Sequence, residues 1–555
     1  MDHNRPRRSC EQCRAKKTKC SGERPQCSHC RRQGKQCIYR PRNNHRPTTL
    51  PRPSSSPQRV ATTHDARSPA DLFDHVLQVY QASVYCQPLP LFNPATLRHA
   101  LPHFPSYLRS AVLALTLRLS NHPAHRILPE EASSLYTSTS RNVVLQKAMQ
   151  GDACLQVRQT LCLLALGEIL DGLHVQAFAT VGAAARLEAI KLRTSTAQED
   201  DELRCHWSIR TLDNAFTSTP NMNHPTAPLP YPSSPERPLP TDIMAAREED
   251  ISNRHEIRKG ESEVIANYLQ AFQMWSKVAW YFEDMRLGNR ESPWLASSRY
   301  HQLTADLYQQ QADLSDLHLY RNVGFSRQNP ADLRNRQDYW IPWISMQIGA
   351  HATPAVLNNP FVQLFVLQSD KGLCQPRSFL QQTVDQALFH SAWVGRLLRE
   401  CDRLELPIDD PILGQMIAAT ATIPFLFRFS RDAKVSRRAA IDLQTCLDCL
   451  AQLAKTWPLI AKKHACLLNL QSTVEQDGQL RLQPEALWYV VCGDFLDEPS
   501  RSLSEAQIHI TTSFIEPVGD TIPGEENELQ PDHYNWADYF VDSFMVDNYL
   551  VGLEP

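Results

Sequence analysis

Glycine is scarce in this chain, 18 in 555 residues, and the loops that need it are missing. Neither G-x-x-x-x-G-K-[ST] nor G-x-G-x-x-G occurs; both use glycine to let backbone N–H groups close around a phosphate. H-E-x-x-H and G-x-S-x-G are absent too, which removes the commonest zinc protease helix and the hydrolase nucleophile elbow. The chain reads as a non-enzyme. Long apolar runs are also lacking: none reaches the roughly eighteen residues of a membrane-spanning helix. Met1 to Arg8 contains no apolar stretch of the signal-peptide kind, so the expectation is a soluble intracellular protein without a membrane partner. Net charge is nearly absent, −3, but it is unevenly spread. Residues 1–59 carry sixteen Lys and Arg against Asp2, Glu11 and Glu23, a net +13, while residues 502–555 carry eleven Asp and Glu and no Lys or Arg. A basic head and an acidic tail point to a polyanion at one end and a different partner at the other.

What the head does have is cysteine. Cys10, Cys13, Cys20, Cys27, Cys30 and Cys37 repeat the spacing Cys-x2-Cys-x6-Cys twice. Two tetrahedral Zn²⁺ ions need eight sulfur bonds, and six thiolates supply eight only if two of them bridge both metals. Spacing alone does not say which two. Bound as thiolates with two Zn²⁺, the six lower the head's charge to +11. A disulfide framework fits poorly, because nothing marks the chain for export. A zinc store without nucleic acid would not need lysines beside the thiolates, and such clustering is the footprint of phosphate binding. Ser9 and Ser28 are placed to cap two short helices, one from Cys10 to about Lys16 and its twin after Cys27. So small a module buries no useful core, so the metal must supply most of its folding free energy.

This pattern resembles the fungal Zn₂Cys₆ binuclear cluster family of transcription regulators. Arg14-Ala15-Lys16-Lys17-Thr18-Lys19 between Cys13 and Cys20 is similar to the family's basic recognition helix, and Pro25 stands where the family usually has a proline between the two halves. The resemblance implies that Cys10 and Cys27 bridge, while Cys13, Cys20, Cys30 and Cys37 are terminal. It implies a nuclear protein whose helix after Cys10 enters the major groove of double-stranded DNA. Lys17, and secondarily Lys16, would read guanine O6 and N7 in a CGG triplet. Arg14, Lys19, Arg31 and Arg32 would hold phosphates.

The expected fold class is mainly α, with a Zn₂Cys₆ module at 1–45, a disordered Pro/Ser linker at 46–69, a large all-α regulatory domain at 70–500 and an acidic tail at 501–555. Family members often follow the cluster with a coiled coil, but here the first apolar periodicity, Leu72 to Val84, lasts about four turns and stops before Pro88 and Pro90. The module is therefore expected to be a monomer, or a homodimer through the middle domain. Leu155 to Leu170 is apolar on most faces and reads as a central buried helix. Val175, Phe178, Ala179, Gly182, Ala185 and Ala189 form a small-residue stripe on the next. Tyr268, Phe272, Trp275, Ala279 and Phe282 mark another core stripe, as do Ala440, Leu443, Leu447, Leu450 and Ala454. Cys446 and Cys449 fall in that last helix as core thiols. The ten cysteines outside the head read as buried free thiols.

Eight prolines at 218–240 forbid helix and sheet, and a disordered insertion is expected at about 218–260, with Ser234-Pro235 a candidate phosphosite. The region from about 70 to 400 resembles the family's α-helical middle homology domain, most clearly at Glu202-Leu203-Arg204-Cys205-His206-Trp207. In the tail, Trp536, Phe540 and Phe544 recur every four residues among acidic ones, the composition of a disordered activation segment that turns helical on a coactivator. A helix docked on the protein's own middle domain is the alternative there. The reading as a whole is a DNA-binding transcription factor that activates; a zinc- or redox-sensing binding protein without DNA preference is the rival.

Overall fold

The computed structural model describes residues 10, 13, 16, 18–23, 25–34, 36–37, 69–120, 130–194, 199–216, 229–236, 238, 264–289, 291–315, 318–362, 376–430, 432–477, 481–482, 484–493 and 508–509. The chain divides into two units, Met1–Ala66 and Arg67–Pro555. In the first, the described regular element is one short helix, α1 (Ser28–Arg32).

The second unit is helical, as the periodicity predicts. Among the described residues its helices are α2 (Pro69–Ser83), α3 (Pro94–Ala100), α4 (Ser106–Leu119), α5 (Glu130–Met149), α6 (Leu155–Leu170), α7 (His174–Thr194) and α8 (Asp200–Phe216). They continue with α9 (Val264–Arg286), α10 (Arg299–Ala312), α11 (Tyr320–Val323), α12 (Pro330–Asn335), α13 (Gln337–Leu357) and α14 (Arg377–Arg403). The last four are α15 (Pro411–Phe427), α16 (Ala433–Leu453), α17 (Pro458–Asp477) and α18 (Pro484–Cys492). The one sheet among the described residues is a two-residue antiparallel pair, β1 (Arg481–Leu482) with β2 (Ile508–His509).

Two helices form the centre because their sequences leave no polar face. α15, PILGQMIAATATIPFLF, has no charged residue and is buried from Pro411 to Phe425. Pro411 opens it at a position that needs no N–H, and Asp410 caps it by accepting from the Ile412 N–H. At Gly414 the helix presses against α17: a Cβ there would sit 2.8 Å from Ile460 Cδ1. α13 is buried along most of its length and packs on α9, α14 and α15. The outer helices are amphipathic. α16 turns Val435, Ala439, Leu443, Cys446, Leu447, Leu450 and Leu453 inward.

Several sequence expectations shift here by a fraction of a turn. On α16 the inward residue is Ala439, and Ala440 faces solvent. On α7 Val175 is 76% exposed, and Ala177, Val181, Ala184 and Ala185 make the buried stripe. Small residues alone do not set the buried face; helical spacing from Ala177 through Val181, Ala184 and Glu188 does. α2 spends its apolar side on its own unit, burying Val76 and Tyr80 with Phe73 and Leu77 alongside, so that face is not free to form a zipper. Cys86, Cys162, Cys205, Cys401 and Cys446 are buried thiols and Cys449, Cys466 and Cys492 are half-buried. Cys154 departs from the expectation, exposed at the N-cap of α6; Cys374 lies outside the described residues.

The expected disordered insertion is corrected at 229–236. Proline forbids helix there, but side chains and backbone still find partners. The Trp207 indole N–H donates to the Pro230 carbonyl at 2.9 Å and its ring stacks on Tyr231. Ser233 N–H donates to Asp200 at 2.7 Å, and Ser234 Oγ accepts from the Ile265 N–H at 3.1 Å. The rest of that call, at 218–228, 237 and 239–260, lies outside the described residues.

The segment Glu202 to Trp207 forms a charge-locked corner of the core. Arg158, fully buried on α6, pairs with Glu188 of α7 and Glu202 of α8, and His206 meets the other oxygen of Glu188 at 2.9 Å. Burial pushes the Glu188 carboxyl up, but the His206 hydrogen bond and the Arg158 charge bring it below the ordinary glutamate value.

Candidate metal centre and nucleic-acid interface

The two copies of Cys-x2-Cys-x6-Cys fold onto each other. Within each, the third residue after a cysteine returns its N–H to that sulfur: Cys13 N–H to Cys10 Sγ and Cys30 N–H to Cys27 Sγ, both at 3.4 Å. The third cysteine of each half closes back on the first, with Cys10 N–H 3.5 Å from Cys20 Sγ and Cys27 N–H 3.3 Å from Cys37 Sγ. The helix cap differs from the expected one. Cys27 caps α1, while Ser28 is its first residue and donates to the Ser21 hydroxyl at 2.8 Å. The sulfur that would face metal has taken the capping role.

Two groups of four thiols result: Cys10, Cys13, Cys20 and Cys27, and Cys10, Cys27, Cys30 and Cys37, with the sulfurs of each group all within 4.8 Å of one another. Cys10 and Cys27 are common to both. Sulfur separations are 3.7 Å for Cys10–Cys27, 3.6 Å for Cys10–Cys30 and 3.7 Å for Cys13–Cys27. A tetrahedron with Zn–S near 2.3 Å has sulfur edges of about 3.8 Å, so the donor set fits zinc in both number and spacing. Cys10, Cys13, Cys27 and Cys30 are closed to solvent.

The electrostatics separate the shared sulfurs from their neighbours. Burial pushes the Cys10 thiol up, but the Cys13 N–H and the adjoining thiols outweigh this and hold it below the ordinary value. Cys27 is lowered chiefly by the Cys30 N–H. Burial and neighbouring thiols push Cys13 up to about 12 and raise Cys30 as well. Crowded thiols of this kind give up their protons to a metal rather than to water, so binding releases protons and weakens in acid.

Of the residues expected to meet DNA, Lys16, Lys19, Arg31 and Arg32 are solvent-exposed. Arg32 Nε donates to the Ser28 carbonyl at 3.4 Å, folding that side chain back along α1. Arg14 and Lys17 lie outside the described residues, as do most of the first helix and Trp536, Phe540 and Phe544. Sequence reasoning missed the Ser21–Ser28 hydroxyl pair that ties the loop after Cys20 to α1; two serines seven apart carry no spacing signal. Among the described residues no helix is long and apolar enough to cross a membrane.

Residues 8–46 match the model of the fungal Zn(2)-Cys(6) binuclear cluster domain. That stretch contains all six cysteines, and the cluster binds two zinc ions. No curated protein and no solved structure matches the chain.

Proposed function

We propose that the chain is a zinc-dependent, sequence-specific DNA-binding transcription factor of the fungal nucleus, reading a CGG-type triplet in the major groove. The observation that carries this is the sharing of Cys10 and Cys27 between two four-thiol groups inside the stretch matched to the binuclear cluster domain. Zinc supplies the cross-links that hold two short loops where no core can form. Cys10 and Cys27 are assigned as bridging ligands and the other four as terminal. Lys17 and Lys16 then read base edges, and Arg14, Lys19, Arg31 and Arg32 hold phosphates. The exposure of Lys16, Lys19, Arg31 and Arg32 supports their availability to a polyanion. The helical unit serves as the regulatory domain, and the module acts as a monomer or as a homodimer through that unit. Metabolic or biosynthetic genes are the target class we favour. No catalytic constellation is part of this reading.

Selection of bound duplexes from a random pool by the zinc-loaded protein should enrich CGG-containing sites. Zinc-loaded protein that enriches nothing would leave the rival standing, a zinc- or redox-sensing binding protein. Activation rests on the acidic, aromatic tail. Residues 520–555 fused to an unrelated DNA-binding domain should drive a reporter, and Trp536→Ala with Phe540→Ala should silence it; a silent parent fusion at normal expression would favour repression instead.

A further inference from the structure

One serine at the surface of the helical unit carries a sequence signal that the reading above does not use. Ser234 is followed by Pro235, with Arg237 three places after it, the arrangement that proline-directed protein kinases take as acceptor. Pro230, Pro232, Pro235 and Pro238 deny the stretch a helix, and an extended backbone is the form in which a kinase cleft holds its acceptor. Other such pairs among the described residues are poorly presented. Thr353-Pro354 is buried inside α13, and Pro293, after Ser292, is buried with its carbonyl accepting the Ser298 hydroxyl. Ser234 is half-buried, and Ser233 and Glu236 beside it are exposed.

Ser234 also helps fasten its segment. Its Oγ accepts from the Ile265 N–H at 3.1 Å, satisfying a donor in the first turn of α9 that the helix itself cannot. Beside it Ser233 N–H donates to Asp200 at 2.7 Å, Arg204 Nη2 donates to the Ser233 carbonyl at 2.7 Å, and Arg336 reaches the Glu236 carbonyl. These few bonds and the stacking of Tyr231 on Trp207 hold a segment without regular structure. Lifting it costs far less than unfolding the helices around it. The charges nearby are already matched. Arg204 donates to Asp200 at 2.7 Å and Arg336 stands 3.3 Å from Asp338, while Glu236 lines the same space as a further carboxylate. Two guanidiniums therefore face three carboxylates.

We propose that Ser234 is a phosphorylation site and that its phosphate releases the 229–236 segment from α8 and α9. The lifted segment enters the kinase, where Ser234 Oγ attacks the γ-phosphorus of ATP. The new O–P bond replaces the one to ADP, which leaves, and the hydroxyl proton passes to the kinase's catalytic carboxylate. The product carries a charge of about −1.5 to −2 at pH 7. Returning to the docked position sets that charge among Asp200, Glu236 and Asp338, with both guanidiniums already engaged. The positive end of α9 offers only about half a charge against it. The segment therefore stays away, and Trp207, 4% exposed beneath it, opens to solvent.

The test treats the zinc-loaded full chain with a proline-directed kinase and ATP, maps the phosphate by mass spectrometry, and then follows amide exchange. Phosphate should appear on Ser234 in the parent and be missing there in Ser234→Ala. Exchange at the Ser233 and Ile265 amides, which report two of the fastening bonds directly, should speed up about tenfold or more on phosphorylation and slow again after phosphatase treatment, with the helical unit still folded. Ser234→Glu should speed the same amides, and the uncharged Ser234→Gln should do so less, which separates charge from size. Glu236→Gln, at an exposed position, should lessen the effect of the phosphate. A folded chain left unmodified at Ser234 would overturn the proposal. So would a phosphorylated chain whose Ser233 and Ile265 amides exchange no faster, or a Ser234→Gln variant that matches Ser234→Glu.

Discussion

The two units are held by opposite means. In the first, four of six metal-facing cysteines are its buried residues, and no aliphatic or aromatic side chain joins them among the described residues. In the second, a large apolar cluster runs from Val76 to Val491, with a smaller one around Ala355, Val384 and Ile423. The difference shows what each kind of sequence can reveal. A metal site fixes residue type and spacing together, because only thiolates at set intervals close two tetrahedra. A hydrophobic core fixes neither tightly, since any apolar residue of suitable size at a roughly correct phase will bury.

Removing zinc should separate the units completely. Structural zinc contributes apparent free energies of about 10–16 kcal/mol in small zinc modules, more than a unit without a core can replace. A chelator should abolish protection in residues 10–37 and leave the helical unit's unfolding unchanged. Native mass spectrometry should count two zinc ions on the reduced protein; one or none would contradict the shared-ligand geometry.

Within the helical unit the largest single effect should come from Arg158→Ala. It removes the buried cation between Glu188 and Glu202, leaving Glu188 with His206 alone and Glu202 with Lys191 alone, a change worth about 3 kcal/mol. Urea denaturation at neutral pH checks it, and zinc binding by the first unit should be untouched. Gly414→Ala is smaller, about 1–3 kcal/mol from overpacking against Ile460; a coupled Ile460→Val should recover part of it.

Asp410 gives the finest probe of the core. Burial pushes its carboxyl up to about 8 against the opposing N–H groups of Ile412 and Leu413. A carboxyl raised in the folded state binds its proton more tightly there than in the unfolded chain. Stability therefore falls as pH rises from the ordinary aspartate value of about 3.9 to near 8. Asp410→Asn, which keeps the capping oxygen, should flatten that slope in thermal melts between pH 5 and 8.

The same contrast governs how much could be read without coordinates. The cluster's six cysteines, its metal count and the helical class of the remainder were legible. Which thiols are common to both metals was implied by resemblance, and the geometry now places Cys10 and Cys27 in both groups. Helix faces were legible only to within part of a turn, as Ala439 against Ala440 shows, because neighbouring alanines differ little in burial free energy. The docking of 229–236 was illegible: proline runs exclude regular structure but do not exclude partners such as Trp207 and Asp200.

The most direct test of the account is a titration of the full chain against a CGG-containing duplex and a scrambled duplex, by fluorescence anisotropy at fixed salt, with and without zinc. The zinc-loaded protein should prefer the CGG duplex, Lys17→Ala should lose about 1–3 kcal/mol and most of that preference, and Arg31→Ala should weaken both duplexes about equally. Zinc-loaded protein that binds the two duplexes alike, or a Lys17→Ala variant that loses affinity equally on both, would contradict it.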